Sequence, residues 1–257
     1  MATYTTEIAS DKLVSDNPIH QRLLKAYIAA LPWVQGKLLE IGCGEGRGVE
    51  VLAPKADSYL GLDKIGEVIV RLRSKFPSYA FEQSVIPPFK SLESNAFDCI
   101  VSFQVIEHIR EDRLFLEEIY RVLKPGGKAI ISTPNIHFSL SRNPWHIREY
   151  TPAELVDLCS AIFTGVEAKG IGGNAKVMAY HEANRIAVNK IMRWDVLNLQ
   201  HRLPASILKL PYEILNRLNR NRLRQQQGDR VTDIRHEDYL LLDSPDQALD
   251  LFYILTK

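Results

Sequence analysis

The 257-residue chain has only three cysteines, Cys43, Cys99 and Cys159, far apart and with no C-x-x-C pair. That excludes a zinc ribbon and a disulfide framework, and it fits a reducing cytoplasm. There is almost no charge surplus: 32 Lys and Arg stand against 31 Asp and Glu, a formal charge of +1. Nothing global therefore argues for nucleic acid, and any basic surface must be local. No stretch approaches the roughly 18 uninterrupted apolar residues of a membrane span. The opening "MATYTTEIASDK" lacks the apolar segment of a signal peptide, so a cytoplasmic protein is expected, peripheral to a membrane at most. Repeats and low-complexity tracts are missing too. The scattered His and acidic residues show no metal-ligand spacing, and no catalytic metal is expected.

What is present is an alternation. A leading helix is predicted over 18–31, with Leu23, Leu24, Tyr27, Ile28 and Leu31 at helical spacing after Ser15, Asp16 and Asn17. Short apolar strands follow: "KLLEIG", "SYLGLD", "YAFEQ", "FDCIVSF" and "KAIIST". The clearest helical pattern between them is "EDRLFLEEIYRVL", stopped by Pro125-Gly126-Gly127. Strands alternating with helices on short loops predict an α/β fold, a doubly wound and mostly parallel sheet. After the fifth strand comes the irregular "TPNIHFSLSRNPWHIREY", then a capping box at Thr151–Glu154 opening a helix to about Ile162, then the strand "GVEAKGI". The chain divides into an N-terminal helical segment (1–35), a core (36–172), a helical basic insert (173–245) and a final strand (246–257).

The loop "LLEIGCGEGRG" puts four glycines in seven positions after the first strand, with Glu40 at its entrance. Glycine lets a backbone turn sharply and approach a ligand. The dinucleotide fingerprint G-x-G-x-x-G needs glycine at 47, where Arg47 stands, and no Gly-Lys-Ser/Thr ending is present. A second acid, Asp63, closes the second strand, where a carboxylate can accept both hydroxyls of a ribose. Two acids without a diphosphate loop suggest a positively charged nucleoside.

At this point the sequence resembles the class I S-adenosylmethionine-dependent methyltransferases, small-molecule enzymes with a type 11-like domain. "LLEIGCGEG", "YLGLDKI", "FDCIVSFQVIEHI" and "IYRVLKPGGKAIISTPN" occur in that family's order. The resemblance implies a Rossmann-like sheet of seven strands, with a helical insert before an antiparallel last strand, "ALDLFYILT". It implies S-adenosylmethionine as cofactor. Gly42, Cys43, Gly44 and Gly46 would meet the methionine part and Glu40 would face its ammonium group, directly or through water. Asp63 would hold the ribose, Lys64 and Ile65 would border the adenine, Gln83 and Ser84 would lie at its amino group, and Gln104 would lie near the methionine. Relatives often have aspartate where this chain has Gln83, which can accept from the adenine amine without charge assistance.

The implied reaction is methyl transfer to an oxygen or nitrogen of a small-molecule acceptor, a glycan-, lipid- or nucleotide-linked metabolite among the options. His146 and His108 are the candidate proton acceptors, imidazole being suited to that task near neutral pH. His137, Trp145, Glu149 and Tyr150 are candidates for acceptor contact, while Glu107 either caps backbone amides or meets substrate. The insert stretch 205–224 is read as a helical cap with solvated arginines, or as a contact with anionic lipid. Two other classes compete: a nicotinamide oxidoreductase on the same sheet, and a non-catalytic regulator that binds cofactor.

Overall fold

In the computed structural model the described residues are 14–257 except 194, 196–198 and 228, with the backbone alone described at 14, 201, 222–227, 229 and 230. Residues 1–13 of the expected N-terminal segment, and the side chains of Arg222 and Arg224, lie outside that description.

The first half follows the alternation closely. Helix α1 (Asn17–Ala30) leads to β1 (Lys37–Ile41), α2 (Arg47–Val51), β2 (Ser58–Asp63), α3 (Gly66–Lys75), β3 (Ala80–Gln83), β4 (Phe97–Phe103), α4 (Asp112–Val122) and β5 (Leu123–Pro134). Strands β1 to β5 pair in parallel and are apolar on both faces, because helices cover the sheet on each side. Two buried clusters result. One carries Tyr27, Val49, Leu72 and Phe103, the other Phe115, Ile119, Leu155 and Tyr253. Helix α4 shows how local the cause is: Phe115, Leu116, Ile119 and Val122 lie on one face and all are buried.

Helix α5 (Pro152–Ser160) has the predicted capping box: Thr151 accepts from the Glu154 N–H, and Glu154 accepts from the Thr151 N–H. Strand β6 (Gly165–Gly173) then leads into α6 (Ala175–Met192), α7 (Leu199–Arg202), α8 (Ala205–Gln227) and α9 (Asp229–Thr232). The insert is not wholly helical. Its end forms β7 (Tyr239–Leu242), which pairs antiparallel with β6, before β8 (Asp250–Thr256) runs antiparallel between β5 and β6. The sheet thus has eight strands, ordered β3-β2-β1-β4-β5-β8-β6-β7, one more than expected. "DYLLLD" was too short to stand out as a strand beside the helical pattern, and only the β6 edge completes its hydrogen bonding.

The order reverses between β1 and β4, the place where an open α/β sheet leaves a crevice at its carboxyl edge. The glycine loop after β1 and Gln104 after β4 therefore sit side by side.

Candidate functional site

A cavity of about 340 Å³ occupies that crevice. Gly42, Gly44, Asp63, Ile65, Ser84 and Gln104 border it, with Cys43 and Lys64. Its floor is held by backbone. The Gly42 and Cys43 N–H groups donate to the Leu62 carbonyl (2.8 and 3.0 Å). The Asp63 carboxylate accepts from the Gly44 N–H and the Ile65 N–H, both at 2.9 Å, so one side chain ties the glycine loop to the β2 end. At Gly44 (φ +48°) a Cβ would project into open space, its nearest neighbour being the Gly42 carbonyl at 4.0 Å. The backbone there is bare toward the cavity.

A second cavity of about 270 Å³ adjoins it, and Leu23, Gln104 and His108 border both. Gln104 has φ +57° and donates its N–H to the Ser132 carbonyl (2.8 Å). Its side-chain amide leans toward the Asp250 carboxylate without completing a hydrogen bond, which leaves a buried donor at the junction. Asp250 is itself buried, paired through Oδ2 with Arg22 Nε at 3.1 Å. Burial holds its carboxyl above the usual carboxylate range.

The far side of the second cavity comes from the insert: Tyr180, His181 and Asn184 of α6, with Tyr212, Asn216 and Arg220 of α8. These residues carried no local motif, and only the folding of the insert over the crevice selects them.

Several expected positions are corrected. Glu40 does not face either cavity directly. It is buried beneath the glycine loop, accepting from Tyr27 Oη–H (2.7 Å) and Tyr59 Oη–H (2.5 Å), and borders neither cavity. The carboxylate at the loop's entrance is thus a tether between α1, β1 and β2. It also explains Gly48, where a Cβ would lie 1.8 Å from Glu40 Oε2. Gly46 turns toward Leu72 and Phe76 in the core and borders neither cavity. Gln83 donates through Nε2 to the Lys64 carbonyl (3.0 Å), bracing that loop from outside. His137 is exposed and away from both cavities. Tyr150 is fully buried in the core and donates to Asp112 Oδ2 (2.9 Å). Trp145 borders neither cavity; its ring lies under Lys209 Nζ at 3.5 Å.

The His-bearing loop is brought to the site. The Glu107 carbonyl accepts from the Ile147 N–H (2.7 Å) and the Arg148 N–H (3.3 Å), so it is the backbone of Glu107, not its carboxylate, that caps amides. The Glu107 carboxylate is buried, with Oε2 accepting from Thr133 Oγ1–H (3.0 Å) and Oε1 without a partner. His146 stacks edge-on to His108, ring centres 5.0 Å apart. His146 Nδ1 lies 2.6 Å from Glu149 Oε1, and His108 Nδ1 lies 2.9 Å from the Trp145 carbonyl. Each acceptor takes a proton from Nδ1, which leaves the lone pair on Nε2, and that of His146 accepts from the Asn143 side-chain amide at 2.8 Å. Glu149, held also by Ser139, is therefore the orienting group of His146. Donor atoms of Glu107, His108 and His146 lie within 4.8 Å of one another, a grouping in space that the sequence spacing did not show. Residues 39 apart in the chain give no spacing to read.

Both buried acids carry a pH signature. Burial raises the carboxyls of Glu40 and Glu107 from 4.5 to about 7. Between these values the native state binds protons that the unfolded chain has released, so stability is fully present below about 4.5 and lost as pH rises through about 7. At about 1.4 kcal/mol per pKa unit, this amounts to about 3 kcal/mol for each group as an upper bound. Glu40→Gln should therefore gain on wild type as pH goes from 5 to 8, read as a growing Tm difference. A difference independent of pH would show that Glu40 is charged in the folded protein without cost.

A crevice at the strand-order reversal, a bare glycine turn and an acid closing β2 all fall within residues 39–131, which resemble the methyltransferase domains of the S-adenosylmethionine-dependent class. Those residues match the family model described as "Methyltransferase domain". A probable S-adenosylmethionine-dependent methyltransferase of Mycolicibacterium smegmatis is 39% identical over 126 residues, covering 47% of this chain and 49% of its own. A probable methyltransferase of the same kind from Mycobacterium tuberculosis is 34% identical over 164 residues, covering 61% and 60%. The chain thus spans about half to three fifths of the length of these relatives. Among solved structures, an S-adenosylmethionine-dependent methyltransferase from Thermotoga maritima superposes with a TM-score of 0.58 at 15% identity, over 95% of this chain and 91% of that one, a likeness of fold.

S-adenosylmethionine is the cofactor of this domain class, and the cavity fits it. The bare Gly44 backbone leaves room for a close-packed ligand, and Asp63 lies where a ribose diol can be accepted. The buried Gln104 side-chain amide nitrogen completes no hydrogen bond within the protein.

Proposed function

We propose that the protein transfers a methyl group from S-adenosylmethionine to an oxygen or nitrogen of a small polar acceptor. The observation that carries this reading is the meeting of two cavities at Gln104 and His108. Methyl transfer needs acceptor and sulfonium in line with water excluded, and two adjoining chambers support a reading in which each holds one reactant. The bound cofactor supplies an electrophilic methyl group. The protein then needs to orient the acceptor and receive a proton where the acceptor is a hydroxyl. His146, its tautomer set by Glu149, is the proton acceptor in this reading, the acceptor hydroxyl displacing the Asn143 amide from Nε2, with His108 beside it. Polar lining from Tyr180, Asn184 and Tyr212 suits an acceptor with several hydrogen-bonding groups. The nicotinamide alternative lacks its third fingerprint glycine. Three buried free cysteines, and the absence among the described residues of any helix long and apolar enough to cross a membrane, go with a cytoplasmic enzyme in this proposal.

Calorimetry with S-adenosylhomocysteine tests the cofactor half. Wild type should bind in the micromolar range, about 8 kcal/mol. Asp63→Ala should lose about 1.5 to 3 kcal/mol, a tenfold to 150-fold weakening, through lost acceptance of the ribose and a loosened Gly44 turn. Affinity like that of wild type would remove Asp63 from the site.

A further inference from the structure

Helix α8 is amphipathic in the wrong sense for a cap on a soluble domain. Tyr212, Asn216, Asn219 and Arg220, spaced i, i+4, i+7, i+8, turn toward the second cavity. On the opposite side Ile207, Leu210, Ile214 and Leu218, spaced i, i+3, i+7, i+11, are 56%, 67%, 51% and 60% exposed, with Leu215 beside them at 45%. A helix packed on a core buries its apolar stripe. Here the polar stripe faces the protein and the apolar stripe faces outward, an arrangement that leaves a contiguous apolar strip in water unless something covers it.

Charge says what covers it. Residues 190–224 contain eight Lys or Arg and two acids, while the whole chain is only +1, so the remainder is net acidic. The cations are not all available. Arg217 and Arg220 both bind the buried Asp16 Oδ1, at 3.1 and 3.0 Å, and so tie α8 to the start of α1. This corrects the reading of these two as solvated surface charges. Lys190, Arg193 and Arg202, at the end of α6 and in α7, are exposed, as are the apolar Ile186 and Leu199. A second copy of this chain would bring the same cations against themselves. An anionic surface with an apolar interior matches both features at once.

We infer that the outer face of α8 is a docking surface for an anionic lipid bilayer, and that the acceptor is a polar headgroup carried on a lipid. The second part rests on the proposed methyl transfer. The polar wall that α8 gives the second cavity then lies one helix diameter from the bilayer that its apolar face enters. A lipid-borne headgroup can reach the cavity while its chains stay in the membrane.

Co-sedimentation of the full chain with phosphatidylcholine vesicles, with and without phosphatidylglycerol, tests the surface. Wild type should pellet with the anionic vesicles at low salt, bind the neutral ones at least about tenfold more weakly, and be released by high salt. Leu210→Glu with Ile214→Glu should abolish pelleting. Reversal of Lys190, Arg193 and Arg202 to Glu should weaken it by about fivefold per cation removed. S-adenosylhomocysteine affinity should be unchanged in all variants, which controls for folding. If wild type stays in the supernatant with anionic vesicles at low salt, the surface is overturned. It is overturned equally if light scattering shows a dimer that the Leu210 and Ile214 changes convert to monomer, since a second copy would then cover the strip. Failure of every form to bind S-adenosylhomocysteine would sink the proposed activity and leave the vesicle result standing.

Discussion

Gly44→Val should weaken S-adenosylhomocysteine binding by a hundredfold or more while leaving the protein folded. The new Cβ would meet no protein atom closer than 4.0 Å, so the core has no reason to object. The cost to folding is confined to a β-branched residue at φ +48°, about 1 to 2 kcal/mol. The two added methyl groups instead fill the space where backbone must meet ligand. Gly48→Ala makes the contrast. Its Cβ would fall 1.8 Å from the buried Glu40 carboxylate, so it should destabilise by about 1 to 3 kcal/mol through overpacking, with the loss seen in Tm. If Gly44→Val bound S-adenosylhomocysteine within threefold of wild type, the glycine turn would not be the cofactor cradle.

His146→Ala should lower kcat by about a hundredfold or more on a hydroxyl acceptor, with cofactor affinity unchanged. The imidazole lies beside the second cavity, not the first, and reaches the junction through its edge contact with His108. Its Nδ1 is committed to Glu149, so Glu149→Gln should also slow turnover, by a smaller factor, because a glutamine can present an N–H and favour the wrong tautomer. An amine acceptor of modest basicity should be affected less, since it needs little help in losing its proton. Full kcat for His146→Ala on a hydroxyl acceptor from pH 6 to 9 would transfer the role to His108, whose ring borders both cavities.

Local chemistry made much of this legible in advance. The stripe of α4, the capping box of α5 and the five parallel strands each follow from neighbours a few residues apart, and the structure has them within a residue or two of expectation, β5 apart, which also takes in the Lys-Pro-Gly-Gly turn. Gly42, Gly44 and Asp63 were legible for the same reason: a turn and a strand end are short-range objects, and their geometry depends on the residues that make them. Glu40 was misread because motif order gives position along the chain but not direction of a side chain. Its carboxylate points down between Tyr27 and Tyr59, from two elements 13 and 19 residues away.

The sequence by itself thus determined the five parallel strands, the crevice and the loop that lines it, because periodicity and turn chemistry are encoded locally, while β7 emerged only with the fold. Tertiary structure alone decided which histidines meet, and which side of α8 faces out. It alone decided that Tyr150 and Trp145 leave the site while Tyr180 and Tyr212 enter it. Those outcomes depend on contacts between segments tens of residues apart, where burial and hydrogen-bond satisfaction are settled by the whole fold rather than by any stretch of it.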